Sequence, residues 1–258
     1  MEPVYRSVTA LALATFRVLR WDVRTGGAAN IPRRGPGILA ANHIGFLDFV
    51  FLGAGARFSS RRVRFMARHD AFEHWLGGPL LRAMKHIPVD RDGDPAASFD
   101  TAVRALRAGE IVGIHPEGAM SRSLVPQPAK SGAARLALAT GAPLIPAAVW
   151  GSQRILAKGH RPRFPRGVVV TVDYGEPIAP EVGEDPAALT ARLMERVETM
   201  VQGAAATYPQ RPRDAEDRWW LPAHLGGTAL TVEESLARMR ADVDRRRERR
   251  GATPQPPG

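Results

Sequence analysis

The side chains best suited to proton transfer lie in residues 40–48, where the polar pair Asn42 and His43 interrupts an otherwise apolar stretch and Asp48 follows. Positions five apart on a regular helix differ by about 140°, so His43 and Asp48 cannot share one helix face. They can meet only where His43 lies at a strand end or helix cap and Asp48 lies in the first helical turns. Asp48 would then accept a hydrogen bond from the imidazole Nδ1, fix the tautomer and leave Nε2 as a general base.

A second polar stretch, residues 115–123, directly follows the apolar run of residues 111–114. Ligands of parallel α/β sheets collect at the carboxyl ends of the strands, where this stretch would lie. Gly118 permits close approach of the backbone, and Arg122 carries a guanidinium fork that matches a phosphate. Taken alone, the stretch is typical of an ordinary turn with a solvated arginine.

Two further basic positions are candidates for holding an anion. Arg91 ends the run of residues 87–91, and Lys130 precedes residues 131–133, which could open a helix. An anion at that helix start would gain from the helix dipole as well as from the lysine charge. Taken separately, each side chain is more typical of a charged surface than of a ligand site.

The elements that must position these residues alternate between strand and helix patterns after Pro32. Short β-rich runs predict strands at residues 37–41, 63–67, 111–115, 144–150 and 168–174. Helical periodicity predicts helices near residues 46–56, 72–84, 96–108, 131–140 and 186–206. This alternation is typical of the α/β class, with a mixed, largely parallel sheet flanked by helices.

The N-terminal segment, residues 3–22, has the pattern of an amphipathic helix, with apolar side chains on one side and arginines on the other. A basic helix of this kind can lie in a bilayer interface. Its apolar side can equally pack on its own domain, and the sequence leaves both interpretations open.

At the other end, the composition changes after Tyr208, and a charged helical pattern at residues 231–247 begins with a capping box of Thr231 and Glu234. The composition of residues 251–258 predicts that this segment is disordered.

The chain therefore divides into three predicted parts. Residues 1–29 form a membrane-interface helix and its lead-in, and residues 30–207 form the catalytic domain. Residues 208–258 form a C-terminal appendage with a basic, partly disordered tail.

The composition of the 258-residue chain excludes several kinds of chemistry. Cysteine is absent, which removes thiol nucleophiles, Cys-ligated zinc and disulfides. The net charge is +10, and 33 of the 36 basic residues are arginines, a bias that GC-rich coding explains as well as an anionic partner does. No apolar run reaches the roughly 18 residues of a transmembrane helix, and Glu2 argues against a signal peptide, so we expect neither.

Combined and in this order, the segments resemble the glycerolipid acyltransferase family, whose bacterial type is 1-acyl-glycerol-3-phosphate acyltransferase. Residues 42–48 match its first motif, N-H-x4-D, and the resemblance extends over roughly residues 30–180. Its second, third and fourth motifs are matched by residues 87–91, 117–118 and 144–146. The third motif departs from the usual E-G-T-R, because Ala119 replaces threonine and Arg122 lies two places later.

The resemblance implies transfer of a fatty acyl group from acyl-CoA or acyl-carrier protein to a lysophospholipid hydroxyl, by default that of 1-acyl-glycerol-3-phosphate, giving phosphatidic acid. It implies that His43 is the general base and that Asp48 orients it. The implied substrate-binding residues are Arg91, Glu117, Gly118 and Arg122, to which we add Lys130.

The same resemblance implies no metal, no cofactor beyond the acyl donor and no nucleic-acid partner. We expect peripheral attachment to an anionic membrane surface, the cytoplasmic face of the cell membrane. The sequence does not settle which lysolipid accepts the acyl group, which donor carries it, or the acyl chain length.

The alternative from another class is a non-catalytic binder of anionic membrane or nucleic acid, which would use the N-terminal helix and the arginine cluster at residues 245–250. Other enzyme and metal motifs fail on spacing. No serine lies in a G-x-S-x-G setting, and residues 90–101 lack the glycine and glutamate positions of a calcium loop.

Overall fold

The central sheet collects strands from most of the length of the chain. The computed structural model describes residues 2–90 and 95–251, and in this part seven strands form one sheet. They are β1 (Asp22–Gly26), β2 (Gly37–Ala41), β3 (Val63–Arg68), β4 (Ile87–Val89), β5 (Ile111–Ile114), β6 (Leu144–Trp150) and β7 (Val169–Tyr174). Their order is β1-β7-β6-β2-β5-β3-β4. Only β6 and β7 pair antiparallel among the described strands, which confirms the mixed, largely parallel sheet.

Helices flank the sheet, and this arrangement confirms the α/β class. Within the described residues they are α1 (Pro3–Val18), α2 (Asp48–Ala56), α3 (His69–Glu73), α4 (Gly77–Ala83), α5 (Pro95–Arg107), α6 (Gly132–Thr140), α7 (Pro186–Ala206) and α8 (Val232–Gly251). Short 3-10 turns, including residues 216–220 and 223–225, join several of them.

The core lies in two layers, one on each face of the sheet. Strand β2 is buried along its whole length, as expected for a parallel strand covered on both sides. Its alternate residues Ile38 and Ala40 belong to the cluster that includes the apolar side chains of α6 and α7. Leu39 and Ala41 belong to the opposite cluster, with Phe51 of α2. The central strand is thus fixed from both sides, and so is the loop that leaves its end.

The single helix predicted at residues 72–84 is wrong, because the structure contains two short helices, α3 and α4, in its place. A Cβ atom at Gly78 would lie 2.1 Å from the carbonyl oxygen of Phe72, so the chain approaches itself more closely than another residue permits. The ring nitrogen Nδ1 of His74 accepts the backbone N–H of Leu76 (3.3 Å) and of Gly77 (3.1 Å) where α4 begins. This local bond replaces the continuation of the first helix.

Two strands were not predicted from the sequence. Strand β1 is an edge strand with no fully buried position, so it lacks a clear apolar signal. Strand β4, at the other edge, has three residues, and Pro88 is one of them.

Helix α1 ends earlier than residue 22, because Arg20 adopts a left-handed conformation with φ of 54°. It packs on α2 and also contacts α4. Tyr5 and Phe16 are buried, so part of its apolar side packs on the domain, while Leu11 and Val18 stay exposed. No helix in the described part of the chain has the length and apolarity needed to cross a membrane.

The segment after Tyr208 packs back onto the domain through Trp220, which is completely buried. The predicted capping box at the start of α8 is present: Thr231 Oγ1 accepts the Glu234 N–H (3.2 Å), and the Glu234 carboxylate accepts the Thr231 N–H (2.8 Å). Helix α8 continues to Gly251, and the rest of the predicted disordered tail lies outside the described residues. The division of the chain at residues 29 and 207 stays a prediction.

Candidate active site

The end of β2 and the start of α2 bring His43 and Asp48 together, in the one arrangement that their spacing allows. His43 Nδ1 lies 2.9 Å from Asp48 Oδ2, and the histidine side chain is 23% exposed whereas the aspartate is completely buried. The same Oδ2 accepts the backbone N–H groups of Ile44 (2.8 Å) and Gly45 (2.9 Å). Since a carboxylate only accepts, Nδ1 of His43 is the donor in this contact, and Nε2 is the ring nitrogen that can take up a proton.

Asp48 is held as a carboxylate by the groups around it. Burial by itself would raise its pKa, but the hydrogen bond and charge of His43 lower it, together with the hydroxyl of Ser152. Ser152 donates to Oδ1 of Asp48 from the turn after β6. Asp48 is also the first residue of α2, where the helix dipole favours a negative charge. The net result is a pKa of Asp48 below its ordinary value.

Asn42 fixes the point where the chain leaves the sheet. Its side-chain amide donates to the carbonyl of Val149 (3.0 Å), and its side-chain oxygen accepts the N–H of Val149 (2.8 Å). These two hydrogen bonds extend the pairing of β2 with β6 by one position. The loop that carries His43 therefore starts from a fully hydrogen-bonded position in the core.

Glu117 braces the His43 loop from the segment after β5. Its carboxylate accepts the backbone N–H of His43 on Oε1 and that of Gln127 on Oε2, each at 2.9 Å. Ser121 N–H donates to the carbonyl of His43 (2.8 Å), so the two loops are bonded twice. Burial raises the pKa of Glu117 to about 8, against the two N–H donors that lower it. Both oxygens accept backbone N–H groups of the site, and contact of Glu117 with the substrate stays a prediction.

His115, at the end of β5, lies flat against His43. The ring centroids are 4.2 Å apart and the planes differ by 14°. His115 Nδ1 lies 2.9 Å from the carbonyl oxygen of Asn42 and 3.1 Å from that of Ala41, so it is the donor in both contacts. Burial and the neighbouring His43 lower the pKa of His115 to about 4, which keeps its ring neutral at neutral pH.

The sequence did not identify His115 or Ser152 as functional, since their contacts with His43 and Asp48 come from separate strands. One available signal is the position of His115 at the carboxyl end of a predicted strand. Ligand-binding residues of such sheets collect there.

Gly118 and Lys130 lie next to each other at this edge of the sheet. Gly118 has φ of 68°, a conformation that favours glycine, and the Lys130 stem passes 3.6 Å from where its Cβ would be. Lys130 N–H donates to the carbonyl of Pro116 (2.9 Å), and its side chain is exposed. The two predicted binding residues are thus adjacent to the brace formed by Glu117.

Arg122 has a partner that the sequence did not indicate. Its guanidinium lies 3.1 Å from Asp242 Oδ2 of α8, and its backbone N–H donates to Ser235 Oγ (3.0 Å). Lys158 reaches the same carboxylate oxygen at 2.6 Å. The last predicted binding residue, Arg91, lies outside the described residues.

No group of three or more metal-ligating side chains occurs in residues 2–90 and 95–251. The site contains an oriented imidazole, and cationic side chains lie on the adjoining segment after β5. Such an arrangement can remove a proton from a hydroxyl and hold an anion next to it.

Comparison with known proteins gives a consistent result. Residues 22–150 match the sequence model of the Acyltransferase family. The 1-acyl-sn-glycerol-3-phosphate acyltransferase of Bacillus subtilis (strain 168) is 34% identical over 142 residues, covering 55% of this chain and 69% of that protein. The protein of the same name from Borreliella burgdorferi is 28% identical over 135 residues, covering 51% of this chain and 52% of its own length.

Among solved structures, the chain is similar to the 1-acyl-sn-glycerophosphate (LPA) acyltransferase PlsC from Thermotoga maritima. The TM-score is 0.67 with 23% identity, over 80% of this chain and 81% of that one. At this identity the similarity concerns the fold, which is the same mostly parallel sheet flanked by helices.

Proposed function

Because the chain belongs to the acyltransferase family, we propose that it transfers a fatty acyl group from a thioester to the free hydroxyl of 1-acyl-glycerol-3-phosphate, giving phosphatidic acid. The donor is acyl-CoA or acyl-carrier protein. The observation that carries the proposal is the 2.9 Å contact between His43 Nδ1 and the buried Asp48, which leaves Nε2 of a partly exposed ring available.

In this mechanism Nε2 of His43 takes the proton of the acceptor hydroxyl as its oxygen attacks the thioester carbonyl carbon. The tetrahedral intermediate then collapses, the carbon–sulfur bond breaks, and the leaving thiolate takes the proton from the imidazolium. Asp48 stabilises the imidazolium between these steps. General-base assistance of this kind contributes roughly 10²- to 10⁴-fold in rate. Direct attack needs no protein nucleophile, which suits a chain without cysteine.

The acceptor phosphate binds beside the base, at the cationic residues after β5. Gly118 lets the phosphate approach the backbone, and Lys130, next to it, supplies charge. Arg122 adds a guanidinium fork once it exchanges Asp242 for the phosphate. Arg91 and Glu117 are the remaining members of the predicted substrate-binding set.

Peripheral attachment to an anionic membrane surface brings the lipid substrates to the site. Leu11 of α1 is 68% exposed and Trp75 is 80% exposed, and α1 contacts α4, which follows Trp75. These exposed apolar side chains, one on α1 and one in the turn before α4, combined with a net charge of +10, fit the interface of an anionic leaflet. We place this surface at the cytoplasmic face of the cell membrane.

The test uses purified protein, lysophosphatidic acid and either long-chain acyl-CoA or acyl-carrier protein. The expected result is release of free thiol together with phosphatidic acid, identified by mass spectrometry. A panel of other lysolipids, glycerol 3-phosphate and glycolipids then defines the acceptor.

Family membership favours this enzyme over the non-catalytic binder that the basic composition also allowed. Steeply salt-dependent binding to nucleic acid or anionic vesicles, with no acyl transfer to any acceptor in the panel, would reverse that preference.

A further inference from the structure

The His43 ring is attached through its Cβ and held at Nδ1 by Asp48, so its plane can still change by combined rotation about the two side-chain bonds. The flat contact with His115, at 4.2 Å between centroids, limits this motion because a tilt of the His43 ring toward His115 would bring the two rings too close. His115 is itself immobilised by the backbone carbonyls of Ala41 and Asn42, which belong to the end of β2. The His115 ring is therefore a fixed surface on one side of the His43 imidazole.

We propose that His115 is a positioning residue that sets the plane of the His43 imidazole and so aims Nε2 at the acceptor hydroxyl. This inference rests on the proposed function of His43. The neutral ring of His115 offers a flat face to His43 and adds no second positive charge next to the His43 imidazolium that forms during transfer. His115 thus acts through His43 and contacts no reacting atom.

Two substitutions separate the face of His115 from its hydrogen bonds. His115→Asn keeps a side-chain N–H for the carbonyls of Ala41 and Asn42 and removes the stacked face. His115→Phe keeps the face and removes the donor. The proposal predicts that His115→Asn lowers kcat roughly ten- to hundredfold with KM unchanged, the loss expected of a misplaced catalytic group. His115→Phe should keep kcat within a few-fold of wild type while losing thermal stability.

Equal loss of kcat in both variants, or full kcat in His115→Asn, would overturn the proposal. NMR of the His43 ring protons supplies a reading that needs no turnover, because a stacked ring shifts them. The shift should survive in His115→Phe and disappear in His115→Asn, and the opposite pattern would also overturn it. Absence of acyl transfer by the wild type would instead contradict the proposed function.

A separate observation concerns α8, which places Asp242 between two cations. One carboxylate oxygen, Oδ2, lies 3.1 Å from Arg122 and 2.6 Å from Lys158, while Oδ1 pairs with Arg245. Neither cation is on α8, and the Asp242 side chain is 13% exposed. The carboxylate thus occupies a position where Arg122 and Lys158 converge on one anionic group.

This convergence point adjoins the proposed catalytic loop on two sides. Ser121, the neighbour of Arg122, donates its backbone N–H to the carbonyl of His43 (2.8 Å). Phe46 donates its N–H to the carbonyl of Leu156 (2.9 Å), two residues before Lys158. Both cations therefore lie within two residues of segments bonded to the loop of residues 43–46.

We infer that Arg122 and Lys158 form a phosphomonoester site that Asp242 of α8 occupies until the phosphate of the acceptor displaces it. A carboxylate and a phosphate are recognised by the same guanidinium and ammonium groups, so Asp242 competes with the substrate from within the chain. The inference rests on the proposed function and gives α8 a role in it. Because Asp242 competes for the two cations, a higher concentration of the acceptor phosphate is needed to occupy the site.

The test compares Asp242→Asn with Asp244→Asn, which removes the same charge from an exposed position of the same helix. Calorimetric titration with inorganic phosphate and with glycerol 3-phosphate measures binding without turnover. Asp242→Asn should bind both roughly fivefold or more tightly than wild type, a typical size for such coupling, while Asp244→Asn should match wild type. The KM for lysophosphatidic acid should fall in parallel.

Unchanged phosphate binding in Asp242→Asn would overturn the inference, because Asp242 would then not compete with phosphate. Weaker binding would also overturn it, because Asp242 would then stabilise the site. Tighter phosphate binding without acylation of any lysolipid would support the site and contradict the proposed function. The two failures are thereby distinguished.

Discussion

At the scale of single residues, Asp48 performs several tasks with one carboxylate. Its Oδ2 accepts His43 Nδ1 and two backbone N–H groups, so it orients the imidazole and shapes the loop that carries it. An amide oxygen could accept the same donors, but it would not supply the negative charge that stabilises the imidazolium formed during transfer. The carboxylate is therefore required in its ionised form, and the lowered pKa of Asp48 agrees with this.

Asp48→Asn tests this requirement. We expect kcat to fall roughly 10²-fold or more, since the negative charge that stabilises the His43 imidazolium is lost. The exposed Asp70→Asn is the matched control and should leave kcat unchanged. Near-normal kcat in Asp48→Asn, measured as thiol release at saturating substrates, would show that the base does not need the negative charge of Asp48.

The motif resemblance singled out His43 and Asp48, and their spacing allowed them to meet because both lie in one short window. The groups that complete the site come from far along the chain: Ser152 is 104 positions from Asp48, and Glu117 is 74 positions from His43. The sequence identified Glu117 through the motif but not its bonds to the backbone. Sequence spacing does not show such contacts, since they depend on which strands become neighbours in the sheet.

At the scale of elements, the break between α3 and α4 depends on Gly78, which lies against the carbonyl of Phe72. We expect Gly78→Ala to lower the free energy of unfolding by about 1–3 kcal/mol, because backbone must move to admit the methyl group. The adjacent Gly77 is the control: a Cβ there has its nearest neighbour at 3.6 Å, so Gly77→Ala should be neutral or stabilising. Urea denaturation measures the free energy of unfolding of both variants. Equal changes in the two would contradict the close approach of Gly78 to the carbonyl of Phe72.

The start of α1 is anchored by an ion-pair cluster around the buried Arg64, which binds Glu2 (2.6 Å) and Glu110 (3.0 Å). Lys85 also reaches Glu2, at 3.1 Å. The hydrogen bond from Arg64 is the main reason that the pKa of Glu2 falls to about 2. Because this folded-state pKa lies below the ordinary value, the stabilisation is complete above about pH 4.5 and is lost as the pH falls toward 2.

Glu2→Gln should therefore cost about 1–3 kcal/mol of unfolding free energy at pH 7, as expected for a hydrogen bond to a charged group. The difference from wild type should shrink as the pH is lowered from about 4.5 toward 2. Chemical denaturation at several pH values measures this, with the exposed Glu195→Gln as control. A difference that stays constant with pH would contradict the ion-pair account of the α1 anchor.

The strongly periodic elements were predictable: residues 144–150 and 186–206 coincide with β6 and α7. The edge strands β1 and β4 were not, because an edge strand can be short or half-exposed and still be held by its neighbour's hydrogen bonds. Helix α1 illustrates a different limit. Its periodicity left two environments open, and the structure shows that it both packs on the domain and exposes apolar side chains.

At the scale of the whole molecule, the sheet gathers the site at the carboxyl ends of β2 and β5, where two parallel strands end side by side. The resemblance to the acyltransferase family, based on four short motifs, is confirmed by the family match over residues 22–150. The α/β class is confirmed as well. The position of α8 against Arg122 lay beyond sequence reasoning, since an ion pair between distant charged surfaces leaves no periodic signal.

The exposed apolar side chains near α1 give a prediction for the molecule as a whole. The double variant Leu11→Gln with Trp75→Ala should weaken binding to anionic vesicles roughly tenfold or more, since it removes apolar area that would enter the interface. Val182→Ala, at another fully exposed position, should not change binding. Co-sedimentation with vesicles at two salt concentrations measures both, and equal binding by the three proteins would contradict the proposed membrane surface.

The central claim is that His43 is the general base of acyl transfer, and the rate of His43→Ala tests it most directly. Single-turnover transfer from radiolabelled acyl-CoA to lysophosphatidic acid should fall roughly 10²- to 10⁴-fold, while thermal unfolding shows that the fold is retained. Transfer by His43→Ala at the wild-type rate would contradict the account.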